Sequence, residues 1–125
     1  MAFIAIIDDD PDIVEAAGLI LQARGHVTAA AATADEGYDL VMQQHPDLII
    51  LDVMMLEPDD GFFLANRLRK EGITTPIVML TSVAKAVGYA FGSHELVPTD
   101  AFLEKPVTPA RLLDTIESLL RMEKV

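Results

Sequence analysis

The sequence has no cysteine, and none of its apolar runs approaches the length needed to cross a bilayer. Without cysteine there are no disulfides, no thiolate metal site and no thiol catalysis, and redox chemistry drops out with them. Basic residues are scarce as well: nine Lys and Arg stand against twenty Asp and Glu, a formal net charge of −11 at pH 7. Phosphate contacts need a basic surface and these cations are spread along the chain, so no direct nucleic-acid binding is expected. No basic leader or cleavage-type segment precedes the first acids, which implies a cytoplasmic location and no membrane partner. No Gly-rich phosphate loop follows the first apolar run, which argues against a dinucleotide-binding reading. His26, His45 and His94 are isolated, so zinc or general-base roles are not expected of them.

What is present fits one domain over residues 1–125. Four short apolar runs stand out: Phe3 to Ile7, Leu48 to Leu51, Pro76 to Leu80 and Ala101 to Leu103. Nearly continuous runs of this length suit strands buried on both faces. A weaker segment after Gly25, His26 to Ala31, reads as a less buried edge strand.

Helical patterns lie between the runs. Asp10 and Pro11 cap and start a helix that turns Ile13, Val14, Ala17, Ile20 and Leu21 inward and stops at Gly25. Thr108 and Pro109 do the same for a closing helix with Leu112, Leu113, Ile116, Leu119 and Leu120 at helical spacing. Residues 34–45 and 61–71 supply two more. Strands alternating with helices imply right-handed crossovers and a parallel (βα)₅ α/β sheet covered on both faces.

In such open sheets ligands sit beyond the carboxyl ends of the strands, so the residues there are candidates for chemistry. The first run ends in Asp8-Asp9-Asp10, the third-strand run in Asp52, the next in Thr81-Ser82 and the last in Glu104-Lys105-Pro106. Several carboxylates converging on one edge repel each other, and a hard divalent cation such as Mg²⁺ relieves this. Lys105 can pair with a phosphate, and the Thr81 hydroxyl can donate to another of its oxygens. A carboxylate nucleophile with a metal, a lysine and a hydroxyl is sufficient for phosphoryl transfer, and the product is an aspartyl phosphate. Each residue also has a plain structural reading: Asp10 as a helix cap, Asp52 as a strand end, Thr81 or Ser82 as a cap, Lys105 as a surface lysine. Their occurrence in order at successive strand ends favours the chemical reading.

Ile6-Ile7-Asp8-Asp9-Asp10-Pro11, Pro46-Asp47-Leu48-Ile49-Ile50-Leu51-Asp52-Val53-Met54-Met55, Pro76-Ile77-Val78-Met79-Leu80-Thr81-Ser82 and Phe102-Leu103-Glu104-Lys105-Pro106 resemble the response regulator receiver family, in its chemotaxis-regulator-like single-domain form. The resemblance covers essentially the whole chain. It implies a flavodoxin-like sheet of order 2-1-3-4-5 and a two-component phosphorelay in which Asp52 accepts a phosphoryl group from a sensor histidine kinase or phosphotransfer protein. It further implies Mg²⁺ held by Asp8, Asp9, Asp52 and the backbone carbonyl of Met54, with Lys105 on the phosphate. Thr81 and Phe102 are then the switch pair, Phe102 responding by burial since it lacks a hydroxyl. Such a domain takes part in its own phosphotransfer and autodephosphorylation and is not a turnover enzyme.

The pattern departs from the family in two places. Leu56 takes a position where proline is usual, Pro58 follows, and Asp60-Gly61 arrives late. The stretch from Thr81 to Lys105 is also longer than usual. Val83, Ala84, Val87, Ala90 and Phe91 keep helical spacing there, but Gly88 and Gly92 each cost about 1 kcal/mol inside a helix, so a weak fourth helix is expected, a variable loop rather than an order-disorder switch. The chain stops soon after the closing helix, so signalling is expected through binding of a downstream protein, and the resemblance implies that the surface used is that of the fourth helix, fifth strand and fifth helix. Two alternatives are a haloacid-dehalogenase-like phosphohydrolase, with Asp8 as nucleophile and Asp10 as general acid, and a receiver-like interaction module without phosphorylation.

Overall fold

The structure, a computed structural model, describes residues 2–52, 60–82, 101–105 and 108–123. Strands β1 (Phe3–Ile7), β2 (Val27–Ala31), β3 (Leu48–Asp52), β4 (Ile77–Ser82) and β5 (Ala101–Lys105) form a parallel sheet of order β2-β1-β3-β4-β5. The helices among the described residues are α1 (Pro11–Ala23), α2 (Ala34–Gln44), α3 (Asp60–Lys70) and α4 (Pro109–Glu123). The alternating pattern predicts the parallel α/β sheet, and the order is the flavodoxin-like one that the family resemblance implies.

The apolar runs are continuous because the sheet is covered twice. On one face Ala5, Ile7, Ile49, Leu51, Ile77 and Met79 meet Val41 of α2 and Phe62, Ala65 and Leu68 of α3. On the other, Ile4, Ile6, Leu48, Ile50, Val78 and Leu80 meet Ala17 and Leu21 of α1 and Leu112 and Ile116 of α4. Each fully buried Leu, Ile or Val contributes roughly 1.5–3 kcal/mol. β2 needs less density because it is an edge strand, and its Val27 is half exposed.

Strand ends differ from the apolar runs for a backbone reason. Pro76 lacks an N–H, so β4 starts at Ile77, although the Pro76 carbonyl still accepts from Ile49 N–H at 2.9 Å. At the other end pairing continues through polar residues: β3 includes Asp52, β4 includes Thr81 and Ser82, and β5 includes Glu104 and Lys105.

The helix signals hold closely. Asp10 caps α1, accepting from Asp12 N–H, and Gly25 at φ 85° closes it while its N–H donates to Gln22 O and His26 N–H donates to Leu21 O. α2 stops at Gln44, one residue early, because His45 takes a left-handed conformation at φ 50°. Gly37 of α2 permits a close approach to β1, since a Cβ there would stand 2.8 Å from both Cδ1 and Cγ2 of Ile7. The loop after Asp52, with Met54, Leu56 and Pro58, and the helical pattern of 83–91 lie outside the described residues. Among the described residues no helix is long and apolar enough to cross a membrane.

Candidate functional site

β1 and β3 are neighbours in register through Ile7 and Leu51, so the next residue of each, Asp8 and Asp52, stands at the same level of the sheet. As the chain leaves β1, Asp8 N–H donates to Ala31 O at 3.0 Å. Asp8 Oδ1 accepts from Asp10 N–H at 2.9 Å, which orients the carboxylate. Asp8 is 2% exposed and Asp52 4%, and these are the buried charged residues among those described. Asp9 is exposed beside them. One carboxylate oxygen from each of Asp8, Asp9 and Asp52 lies within 4.8 Å of the others.

Two desolvated carboxylates and a third at the rim concentrate negative charge that solvent screens poorly, and such a cluster is stabilised by a cation. Asp10 does not join it. Its Oδ1 accepts from Asp12 N–H at 2.9 Å, so the helix-cap reading of Asp10 holds.

The other strand-end residues reach the same edge through the backbone. Asp52 pairs in register with Leu80, so Thr81 is one residue further along the adjacent strand. Thr81 is opposite Glu104, and Ser82 is opposite Lys105 on β5. Phe102 is opposite Met79, two positions before Thr81 on its own strand's partner. Met54, and the side chains of Thr81, Phe102 and Lys105, lie outside the described residues.

A cavity of about 370 Å³ opens beside the acids, floored by Ala30, Ala31 and Ala32 and flanked by Glu15 and Glu36. Sequence reasoning overlooked these two glutamates. For Glu36 the signal was legible: it lies three residues after Thr33, whose Oγ1 accepts from Glu36 N–H at 3.1 Å, while Glu36 reaches back to Ala32 N–H at 3.4 Å.

The family model for the response regulator receiver domain matches residues 4–117. The chain belongs to the response regulator receiver family. Its curated relatives include the DNA-binding dual master transcriptional regulator RpaA of Synechocystis sp., 35% identical over 97% of this chain and 50% of that protein. The transcriptional regulatory protein AfsQ1 of Streptomyces coelicolor is 37% identical over 97% of this chain and 52% of that protein. The receiver thus spans about half the length of the curated relatives it matches.

Solved receivers match over nearly their whole length. The receiver domain of NtrX from Brucella abortus has a TM-score of 0.82 at 29% identity, covering 94% of this chain and 98% of that one. A CheY-like receiver domain protein from Methanospirillum hungatei has a TM-score of 0.85 at 27% identity, covering 99% of this chain and 97% of that one.

As a receiver domain the chain belongs to the phosphoacceptor modules of two-component signal transduction. The dehalogenase-like alternative finds no support: the family match leads elsewhere, and Asp10, the general acid it requires, is engaged in capping α1.

Proposed function

We propose that residues 1–125 act as one cytoplasmic receiver domain in which Asp52 takes a phosphoryl group from the phosphohistidine of a sensor histidine kinase or phosphotransfer protein. The observation that carries this reading is the convergence of Asp8, Asp9 and Asp52 on one strand-end edge. All three offer carboxylate oxygens, and among the described residues no nitrogen or sulfur donor joins them, a donor set that fits Mg²⁺ better than zinc. Asp8, Asp9 and Asp52, with the Met54 carbonyl, are the residues that hold it. When bound, Mg²⁺ supplies neutralisation of the clustered carboxylates and of the incoming phosphoryl oxygens.

The remaining work falls to the chain's own residues. Asp10 N–H holds the Asp8 carboxylate in position. An Asp52 carboxylate oxygen attacks phosphorus as the phosphorus–nitrogen bond breaks, the electron pair returning to the donor imidazole, and an aspartyl phosphate results. Lys105 pairs with a phosphoryl oxygen, and Thr81 donates its hydroxyl to another. Phe102 follows Thr81 by burying its ring. The domain takes part in its own phosphorylation and dephosphorylation without turning over a separate substrate.

The test is incubation with acetyl phosphate, with and without Mg²⁺, followed by intact-mass analysis. A single Mg²⁺-dependent, hydroxylamine-labile phosphoryl adduct in the wild type and none in Asp52→Asn is the expected result. An adduct that persists in Asp52→Asn removes Asp52 from the role, and no adduct under any condition favours an interaction module without phosphorylation.

A further inference from the structure

Helices α2 and α3 pack side by side on one face of the sheet, and their outer seam carries contacts that core packing does not require. Tyr38 of α2 donates its hydroxyl to Glu71, just beyond α3. This hydrogen bond, with lesser contributions from desolvation and the Glu71 charge, raises the Tyr38 pKa and keeps the phenol a donor. The Arg67 guanidinium lies 3.7 Å from the centroid of the Tyr38 ring. It also stands 4.0 Å from Asp35 Oδ1, at the outer limit of an ion pair. One turn earlier on the same side of α3 is Phe63, 69% exposed, while its neighbours Phe62 and Leu64 are buried against the sheet.

We propose that this seam is the surface through which two copies of the chain meet about a twofold axis. Phe63 packs on Phe63 near the axis, and Arg67 of each copy reaches Asp35 of the other. A twofold interface has to be self-complementary, so a patch that uses it must carry both signs of charge. The seam does: Arg67 and Asp35 are 54% and 96% exposed in their side chains, and their contact within one chain is weak enough to be exchanged across an interface at little loss. A uniformly acidic face, which a net charge of −11 favours, would repel its own copy. A strongly acidic partner protein would face Asp35 and Glu71, and a strongly basic one Arg67 and Lys70, so the mixed seam suits a second copy better than either. The stack on Tyr38 also holds the Arg67 guanidinium in place, which lowers the ordering cost of using it. Phe and Arg are residue types that supply much of the energy at interface centres. The proposal is independent of phosphorylation at Asp52.

Sedimentation of the full chain over a concentration series tests it. The wild type is expected to show a monomer–dimer equilibrium, weakened about tenfold or more by Phe63→Glu. Arg67→Glu alone and Asp35→Arg alone each oppose like charges and are expected to stay monomeric. An equal mixture of these two variants restores both opposite-charge pairs and is expected to form a heterodimer, with circular dichroism confirming that each variant is folded. A wild type that stays monomeric throughout, a dimer indifferent to Phe63→Glu, or a mixture that fails to associate would each overturn the proposal.

Discussion

At the amino end of the central strands Asp47 is matched twice to one residue: its N–H donates to Phe3 O at 2.7 Å and its Oδ2 accepts from Phe3 N–H at 2.8 Å. Beside it, His26 Nδ1 accepts from Ala2 N–H at 3.2 Å. At the carboxyl end of the same two strands, Asp8, Asp9 and Asp52 bring their carboxylates within 4.8 Å of one another. One aspartate fastens β1 to the start of β3, and the other three concentrate charge. Residue type does not separate these uses. What separates them is whether other carboxylates stand alongside: Asp8, although it too accepts a backbone N–H, has two more within 4.8 Å.

The largest test of that contrast neutralises one of the clustered acids. Without divalent cations, Asp52→Asn is expected to raise unfolding stability by about 1–3 kcal/mol, the scale of like-charge repulsion at a few ångströms and an effective dielectric near 20. The same variant should bind Mg²⁺ at least tenfold more weakly by calorimetry, so that added Mg²⁺ stabilises the wild type more than the variant. If the variant proves less stable in the absence of metal, the carboxyl-end acids are supports like Asp47.

Next in size is Gly37→Ala. Its Cβ would press on Ile7, the residue before Asp8, and overpacking of this kind costs about 1–3 kcal/mol. Denaturant unfolding measures the loss, and Mg²⁺ titration shows how far strain in β1 reaches the acids. Asp47→Ala should cost about 1 kcal/mol, the worth of one hydrogen bond, and leave phosphorylation by acetyl phosphate unchanged. The smallest effect is expected for His45→Gly, which relieves the left-handed conformation one residue before Pro46 and raises stability by about 0.5 kcal/mol.

Much of this contrast was legible in the sequence, but unevenly. Apolar density marked β1, β3 and β4 because each is buried on both faces, and β5 by the short run Ala101 to Leu103, yet it placed the carboxyl ends of β3, β4 and β5 too early. Hydrophobicity reports what the side chains touch, whereas a strand ends where the backbone stops pairing, which for β3 is at Asp52. β2 was recognisable chiefly by Gly25 before it, since an edge strand needs few apolar residues. Asp8, Asp9 and Asp52 could be found because topology places strand ends together whatever the intervening sequence. The fit of Gly37 against Ile7 could not, because nothing near Gly37 in the chain signals a contact thirty residues away. Nor does the turn at His45 carry the glycine that usually marks a left-handed helix end.

Helix α1 is tied at both ends. At its start Asp10 caps the first turn while its own N–H is held by Asp8, and beyond its last turn Arg24 Nη2 lies 2.9 Å from Glu117 Oε1 of α4. Isolated helices fray from their termini, where the first and last backbone groups lack partners. Here the amino-terminal turn is fastened to the acids and the carboxyl-terminal turn to another helix, so unravelling from either end must also break a tertiary contact. Amide exchange along α1 should therefore be nearly even, and whatever loosens the Asp8 carboxylate should be felt first as faster exchange at residues 12–14.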